Sequence, residues 1–426
     1  MLDSPRPERM RAFSLATRLM MDFDRDPQLD QLCKRYRVFI DTHVLPLEAR
    51  FLEQGFGAIA ADIAAVRERA QAEGLFGPQL PESLGGMALG LTAIGEISAV
   101  LGRTPLGHYC MHLQAPDVSN MELLHRWGTP MQHHQWLEPL CKGEIRSCFS
   151  MTEPDHAGSN PVLMSTTAVR DGDDWLINGK KWFTSSADGA AFAIVMAVTD
   201  AAAPPHQRAT FFLVPSDTPG FTVVRNLPVM GEAHAVGHAG WASHAEVTYE
   251  GVRIPDAYRI GEVGAGFAMA QERLGPGRIH HAMRWIGIAE RSLELMVQRA
   301  ATRALSATTM LGHKDTVQGW IADSFAELEA ARLMVRKTAW TIERHGQKAA
   351  KTEVSAIKFF VANMLDRVLD RALQVHGALG MTDLLPIAFW YRHERAARIY
   401  DGPDEVHKGV VARLLLEAAG MPRGTR

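Results

Sequence analysis

The spacing of apolar residues changes twice along this chain, and that change limits the possible folds more than any other feature. From about Leu29 to Leu140 the apolar residues recur at helical intervals, with a Pro/Gly interruption at 81–86. From Ser150 to about Gly261, short β-like runs alternate with Gly and Pro. Helical spacing then returns in three long segments and a short last helix, over 279–304, 317–343, 352–375 and from about Pro403. This order predicts helices, then a small antiparallel β domain, then a helical bundle.

Within the middle region, Asn178-Gly179 is the strongest short-range signal for a β-hairpin, because it lies between two β-like runs. We therefore expect a turn there, with a strand on each side. The other predicted strands are 192–196, 211–214, 221–224, 245–249 and 252–255.

Composition excludes several classes of protein. The chain has 426 residues and is 46% hydrophobic, enough for more than one core. Its net charge of -3, without charge blocks, gives no support for a nucleic-acid partner or an anionic membrane. We expect no membrane span, because no stretch is apolar over the required length. Residues 1–21 lack the apolar core of a secretory signal, and an organelle transit peptide is left open.

The four cysteines form no Cys-x-x-Cys pair and have no zinc-type spacing, so we expect no metal site. The adjacent pairs His133-His134 and His280-His281 point in different directions on a helix and lack a third ligand. Few cysteines in a long chain are typical of a reducing compartment. We expect a cytoplasmic protein, or one of an organelle matrix if the source is eukaryotic.

Three segments combine residue types that suit a flavin and acid–base chemistry. The run from Phe149 to Pro154, followed by Gly158-Ser159, is by itself an ordinary loop, but it also suits a backbone lying along a flavin. In Trp182-Phe183-Thr184, the indole suits a ring face and the hydroxyl a ring edge, although both residues are also common strand formers. Asp401 precedes the last helix and is followed by Gly402, so it is a candidate base rather than only a cap.

Together these segments resemble the acyl-CoA dehydrogenase family in order and spacing. The matching motifs are Thr152-Glu153-Pro154 with Gly158-Ser159, Trp182-x-Thr184, Gln374-x-x-Gly377-x-x-Gly380 and Tyr400-acid-Gly402. The resemblance covers about residues 30–418. Most members have Glu at the base position, whereas this chain has Asp401 within 401–407, Asp-Gly-Pro-Asp-Glu-Val-His. That motif is similar to an Asp-base branch whose animal members can be fused to a kinase-like domain.

The resemblance implies a mainly α fold with a central β domain. Its parts are an N-terminal helical domain (1–148), an antiparallel β-barrel-like domain (149–262) and a C-terminal four-helix bundle (263–426). It implies FAD as cofactor, an acyl-CoA substrate, an electron-transfer flavoprotein as acceptor, and a homodimer or homotetramer. Asp401 would remove the α-proton while the β-hydride passes to flavin N5. Apolar ligand surfaces around Asp401 are expected to raise its pKa by desolvation.

The resemblance also implies roles for individual residues. The flavin side is lined by Phe149, Met151, Thr152, Ser159, Trp182 and Thr184. The cofactor of a neighbouring subunit is held by Arg303, Gln374 and Gly377. The substrate is contacted by Ser159, Arg278, Tyr400 and Gly402. After Arg303 the family's Phe-Gly-Lys is absent, which puts the outer clamp on FAD in doubt.

Three alternatives share some of these features. An acyl-CoA oxidase would pass electrons to oxygen, and reduced flavin would reoxidise rapidly in air. A flavin-retaining nucleic-acid-binding relative would need a basic C-terminal face, against which the net charge argues. A purely structural helical protein would bind no FAD.

Overall fold

The computed structural model describes residues 26–230, 241 and 243–422, without the side chains of 274–276. The predictions about a signal or transit segment within residues 1–21 lie outside the described residues. No helix in the described ranges is both long and apolar enough to cross a bilayer. All four cysteines lie among the described residues, where they are buried and form no disulfide.

The N-terminal region is helical, as predicted. Its first helix is preceded by Asp26, which accepts a hydrogen bond from Gln28 N–H (3.1 Å), and has Pro27 in its first turn. The helices are α1 (Pro27–Phe39), α2 (Leu45–Gln54), α3 (Ala60–Ala72), α4 (Leu91–Leu101), α5 (Gly107–Cys110), α6 (Asp117–Trp127), α7 (Pro130–Gln132) and α8 (Glu138–Cys141).

The described residues of the middle region form an eight-stranded sheet. Its strands are β1 (Ser147–Ser150), β2 (Thr167–Asp171), β3 (Asp174–Ser185), β4 (Phe192–Val198), β5 (Ala209–Pro215), β6 (Phe221–Asn226), β7 (His244–Pro255) and β8 (Arg259–Ile260). The order is β6-β7-β3-β2-β4-β5-β8, and β1 pairs with β4.

The expectation of an antiparallel, barrel-like domain needs correction. Both β1 and β2 run parallel to β4, so the sheet is mixed. The sheet is also open, with β6 and β8 at its two ends in the described chain. The cause is tertiary: β1 enters from the N-terminal helices and pairs with β4, which begins more than 40 residues after β1 ends.

The predicted hairpin at Asn178-Gly179 is wrong. Both residues lie inside the single long strand β3, where the register against β7 shifts between Ile177 and Gly179. Asn178 accepts a hydrogen bond from Gly251 N–H (2.7 Å) on the neighbouring strand. A Cβ on Gly179 would lie 2.3 Å from Thr166 Oγ1, so glycine is required here for close approach at a bulge.

The three long C-terminal segments are helices, as predicted, and one further helix, α12, was missed. The helices are α9 (Gly266–Thr302), α10 (Asp315–His345), α11 (Lys351–His376), α12 (Pro386–Glu394) and α13 (Asp404–Ala418). Helix α9 begins about a dozen residues before the predicted segment. Helices α9, α10 and α11 pack on one another and α13 packs on α11, while α4 packs across α9 and α10.

Helix α9 is the central element of the core. Its buried residues recur every three or four positions, which gives one apolar stripe along the helix. These residues are Ile279, Ala282, Met283, Ile286, Ala289, Leu293, Met296 and Ala300. Burying each large side chain contributes roughly 1.5–3 kcal/mol. Packing along this stripe holds α9 in place. It therefore also fixes the positions of the polar residues on the other faces of the helix.

Candidate active site

The loop Tyr400-Asp401-Gly402, which we call the base loop, has an unusual backbone. Asp401 has φ 54° and Gly402 has φ 98°. Among residues with a side chain, Asp and Asn tolerate this left-handed region best. A Cβ on Gly402 would lie 2.8 Å from His407 Nε2, so residue 402 must be glycine. The residue types at 401 and 402 therefore favour one tight backbone conformation for this loop, just before α13.

Two side chains hold the backbone of the base loop. Arg278 Nη2 donates to the Asp401 carbonyl oxygen (3.2 Å), and His407 Nε2 lies 3.0 Å from the same oxygen. A trans peptide points its C=O and its N–H in opposite directions. Fixing the Asp401 carbonyl therefore also fixes the direction of the Gly402 N–H. The hydrogen bonds recorded in the described chain use neither the Asp401 nor the Gly402 backbone N–H.

A buried network holds the Tyr400 ring. Its hydroxyl accepts hydrogen bonds from Arg284 Nη2 (3.0 Å) and Trp285 Nε1 (3.2 Å). Both donors also bond to Glu394, whose side chain is buried on α12. Burial raises the pKa of Glu394, but the adjacent Arg284 and His393 charges lower it overall. The base loop is thus tied to α9 and α12 through a satisfied ion pair.

The Asp401 carboxylate faces a positively charged wall. His281 Nε2 lies 3.3 Å from Asp401 Oδ2. Burial raises the pKa of Asp401, but the hydrogen bond and charge of His281 and the charges of Arg278 and Arg273 outweigh it and lower the pKa to about 2. In the free site Asp401 is therefore a stabilised anion. The predicted rise in its pKa applies to a site filled by ligand and stays a prediction.

The segment Met151-Thr152-Glu153 is anchored from β3. Lys181 Nζ donates to Met151 O and to Glu153 Oε1, both at 2.9 Å. Glu153 also accepts from the N–H groups of Ser165 and Thr166, at 2.6 and 2.9 Å. Burial raises the pKa of Glu153, but Lys181 and these N–H donors lower it overall. Burial lowers the pKa of Lys181 to about 8.

The anchored segment leads to several predicted flavin-side residues. Trp182 N–H donates to Thr152 O (3.0 Å), which joins the two predicted motifs. Trp182 Nε1 is buried and has no hydrogen-bond partner within the described residues, so an acceptor on a ligand edge would satisfy it. Met151 and Thr152 are half-buried, and Ser159 is exposed. These residues fit a planar ring with polar edges.

Thr184 differs from its predicted neighbours. It is fully buried, and its hydroxyl lies 3.2 Å from Ser150 Oγ, which accepts from Tyr249 OH (2.9 Å). The structure therefore does not present Thr184 on the surface of the site, and its predicted bond to a flavin edge stays a prediction.

Arg273 links the two halves of the site. Its guanidinium lies 3.9 Å from the centre of the Phe149 ring and donates to Asn120 Oδ1 at 3.3 and 3.2 Å. Burial lowers its pKa to about 10, against the opposing influence of Asp401 and Glu122. Burial also raises the pKa of Glu122 to about 7, while Arg273 lowers it. The predicted residue Phe149 is thus joined to the base side by one cation.

The structure does not bring Arg303, Gln374 and Gly377 to Asp401. All three are exposed. Arg303 lies 25 residues after Arg278 at the end of α9, which is about 37 Å along a helix. Gln374 and Gly377 lie at the corresponding end of α11. Their predicted role, holding the cofactor of a neighbouring subunit, needs a second chain and stays a prediction.

The sequence alone does not indicate the contacts of His281, Arg273 and Glu394. The spacing of His280-His281 excludes a metal site, and the two other interpretations of the pair, a CoA entrance or a polar helix face, do not indicate a contact with Asp401. Nothing in the local pattern around Arg273 or Glu394 indicates a partner, because Asn120 and Arg284 are more than 100 residues away. Only the packing of α9 against the other elements brings them together.

Comparison with known proteins agrees with this architecture. Three family models match successive parts of the chain: the acyl-CoA dehydrogenase N-terminal domain over residues 26–144, the middle domain over 148–242 and the C-terminal domain over 264–416. FadE2 of Mycobacterium tuberculosis, described as a probable acyl-CoA dehydrogenase, is 42% identical over 92% of this chain and 96% of its own length.

Two further relatives extend the comparison. Acyl-CoA dehydrogenase family member 11 of Gallus gallus is 41% identical over 82% of this chain, which spans only 44% of that protein. A solved structure from Mycobacterium abscessus, assigned as an acyl-CoA dehydrogenase, has a TM-score of 0.87 at 37% identity and covers 93% of this chain and 100% of its own. The chain belongs to the acyl-CoA dehydrogenase family. It is an oxidoreductase whose cofactor is FAD.

Proposed function

We propose that this protein carries out the α,β-dehydrogenation of an acyl-CoA thioester, with Asp401 as the base that removes the α-proton. The observation that carries the proposal is the base loop. Its carboxylate is partly exposed, and its backbone is held by Arg278, by His407 and, through Tyr400, by Glu394. A carboxylate so positioned can approach a substrate without rearranging the loop.

The thioester oxygen needs a partner as the α-carbon loses its proton. The Gly402 N–H is the proposed donor, because the bonds to the Asp401 carbonyl fix its direction. Arg278, Tyr400 and Ser159 are the other proposed substrate contacts. The residues proposed to hold the flavin are Phe149, Met151, Thr152, Ser159, Trp182 and Thr184. When bound, FAD supplies the acceptor for the β-hydride.

We propose, from Asp401 at the base position, that the chain belongs to the Asp-base branch of the family. We also propose an electron-transfer flavoprotein as the electron acceptor, and domain boundaries at 148 and 262. Arg303, Gln374 and Gly377 are proposed to reach the FAD of a neighbouring subunit, so that the site is complete only in a dimer or tetramer.

The test is anaerobic mixing of the FAD-loaded protein with a panel of saturated acyl-CoA thioesters. We expect the flavin absorbance to bleach with at least one of them, and bleached enzyme to reoxidise slowly in air. Rapid reoxidation in air would make the protein an oxidase. No bleaching with straight, branched or hydroxylated thioesters would contradict the proposal.

A further inference from the structure

His281 lies directly against the proposed base. It follows Arg278 by one helical turn of α9, so both side chains lie on the same helix face. Arg278 donates to the Asp401 carbonyl oxygen, while His281 Nε2 lies 3.3 Å from Asp401 Oδ2. The side chains of His281 and Asp401 are 22% and 23% exposed, so the pair faces the open side of the site. One helix face therefore holds both the backbone and the carboxylate of residue 401.

The imidazole of His281 is itself held in place. Its ring lies nearly parallel to the indole of Trp285, 20° apart, with 6.0 Å between the centres. It also lies 5.2 Å from the Tyr400 ring, which the buried Glu394 network fixes. With the ring confined between these neighbours, contact with one oxygen of Asp401 orients the carboxylate. Oδ2 is engaged by His281, and Oδ1 has no hydrogen-bond or ion-pair partner within the described residues.

We propose that His281 positions and tunes Asp401: the imidazole holds Oδ2, Oδ1 receives the α-proton, and the charge on the imidazole determines how readily the carboxylate takes that proton. This inference rests on the proposed function of Asp401. In the step concerned, the substrate Cα–H bond breaks and an O–H bond forms at Oδ1. The electron pair left on the α-carbon becomes the second bond to the β-carbon as the hydride leaves to FAD.

His281 can tune the base in a way that its neighbours cannot. Arg278 and Arg273 are permanent cations, whereas an imidazole ordinarily changes charge between pH 5 and 8. A protonated imidazole stabilises the carboxylate anion and makes it a weaker base. A neutral imidazole keeps an N–H donor but loses the charge.

Other charged or titratable groups surround the pair from several elements. They are Arg273, Arg278, His280 and Arg284 on α9, His108 on α5, Lys358 on α11, Glu394 on α12, Tyr400, and Asp404, Glu405 and His407 on α13.

The experiment compares His281→Gln with the wild-type holoenzyme. The Gln amide can place a donor where Nε2 lies, but it does not titrate. Two rates are followed from pH 5 to 9: anaerobic flavin bleaching by an acyl-CoA, and exchange of the α-hydrogens of 3-thiaoctanoyl-CoA in D2O. The second thioester has sulfur in place of the β-carbon, so it reports proton removal without hydride transfer. His280→Gln is the matched control, since burial lowers the pKa of His280 to about 4 and keeps it neutral through most of this range.

We expect both wild-type rates to show an acid limb, with values about tenfold lower at pH 5.5 than at pH 8. His281→Gln should lack this acid limb. The ratio of its rate to the wild-type rate should therefore be about tenfold higher at pH 5.5 than at pH 8. His281→Ala, which also loses the contact to Oδ2, should be about 10- to 100-fold slower at pH 8. His280→Gln should keep the wild-type limb.

A His281→Gln profile that superimposes on the wild-type profile for both rates would overturn the proposal and leave His281 a packing residue. Should His281→Gln fail to fold, His281→Asn is measured in the same way. Asp401→Asn distinguishes failure of the His281 proposal from failure of the proposed function. If that variant still bleached and exchanged at wild-type rates, the proposed function itself would fail, independently of His281.

Discussion

Asp401 bears a charge that the free site stabilises, so its contribution to folding depends on pH. Its pKa is lowered from 3.8 to about 2, which is equivalent to about 2 kcal/mol of stability. Because the folded-state value is depressed, this stability is present above the unfolded-state pKa and is lost as pH falls towards 2.

We predict that Asp401→Asn, which tolerates the same backbone, unfolds about 2 kcal/mol more easily than wild type at pH 6. The difference should shrink to about 1 kcal/mol at pH 3. Urea unfolding at several pH values measures it. A difference that stays constant or grows as the pH falls would show that His281 and the arginines do not stabilise the Asp401 anion.

The buried pair of Lys181 and Glu153 gives a second residue-scale prediction. Lys181→Met leaves the Glu153 carboxylate buried without its cation, which should cost about 3 kcal/mol of unfolding free energy. It also frees the Met151 carbonyl, so FAD affinity should fall about tenfold, equivalent to about 1.4 kcal/mol.

Adding Glu153→Gln to Lys181→Met removes the uncompensated charge and should restore more than about 1 kcal/mol of stability. Urea unfolding and FAD titration of both single variants and the double variant form a double-mutant cycle. Additive effects on stability would mean that the ion pair does not hold the segment Met151-Thr152-Glu153.

Single residues show how far sequence reasoning reaches at the site. Asp401 and Gly402 could be proposed as site residues because a short motif before a helix has local meaning. The contact between Asp401 and His281 could not be predicted, because 120 residues separate them and only the packing of α9 joins them. Thr184 lies fully buried against Ser150, which its motif does not indicate, and its predicted bond to the flavin stays a prediction.

At the scale of elements, period-2 patterns located most strands but divided two of them. A turn was expected inside β3, and residues 245–249 and 252–255, predicted as separate strands, both lie in β7. Asn178-Gly179 has a hairpin composition, yet the backbone of Thr166 requires glycine at 179 and Gly251 bonds to Asn178. Helix α12 was missed because its nine residues mix aromatic and charged side chains without a clear apolar stripe. Strong periodicity over more than 20 residues made α9, α10 and α11 predictable.

The turn after α9 carries an element-scale prediction. Residues 304–310 close a small hairpin, in which Leu305 N–H donates to Thr309 O (2.8 Å) and Ala304 bridges to Met310. The segment is exposed and lacks the family's Phe-Gly-Lys. We predict that Ser306→Phe with Ala307→Gly and Thr308→Lys tightens FAD binding about tenfold, by adding packing and a cation near the cofactor's phosphates. An unchanged dissociation constant in a fluorescence titration would show that other residues already form the clamp.

At the scale of the whole molecule, the three-part architecture follows from periodicity, but the open mixed sheet does not. No local signal indicates that β1 lies parallel to β4. The oligomeric state likewise does not follow from the fold of one chain. Two large apolar side chains just after Gly377 are strongly exposed, Met381 at 69% and Leu384 at 76%, which is typical of a surface that a partner covers.

We predict a dimer or tetramer in which FAD binding and assembly are coupled by mass action. FAD affinity should rise with protein concentration, and Gln374→Ala should weaken it about tenfold without altering the Asp401 region. Gln298→Ala, an exposed glutamine near the same end of α9, is the control and should change nothing. Sedimentation with flavin detection is the measurement, and a flavin-saturated monomer at micromolar concentration would contradict the prediction.

The central claim is that Asp401 removes the substrate α-proton. Asp is one methylene shorter than Glu and reaches about 1.5 Å less far from the backbone, so the rigid base loop must bring it close to the thioester. The most direct measurement is anaerobic stopped-flow bleaching of the flavin by an acyl-CoA in Asp401→Asn. We predict unchanged binding of FAD and acyl-CoA, with flavin reduction at least about 100-fold slower than in wild type. Since Asn tolerates the same left-handed backbone as Asp, near-wild-type reduction would reduce Asp401 to a structural residue and contradict its role as the base.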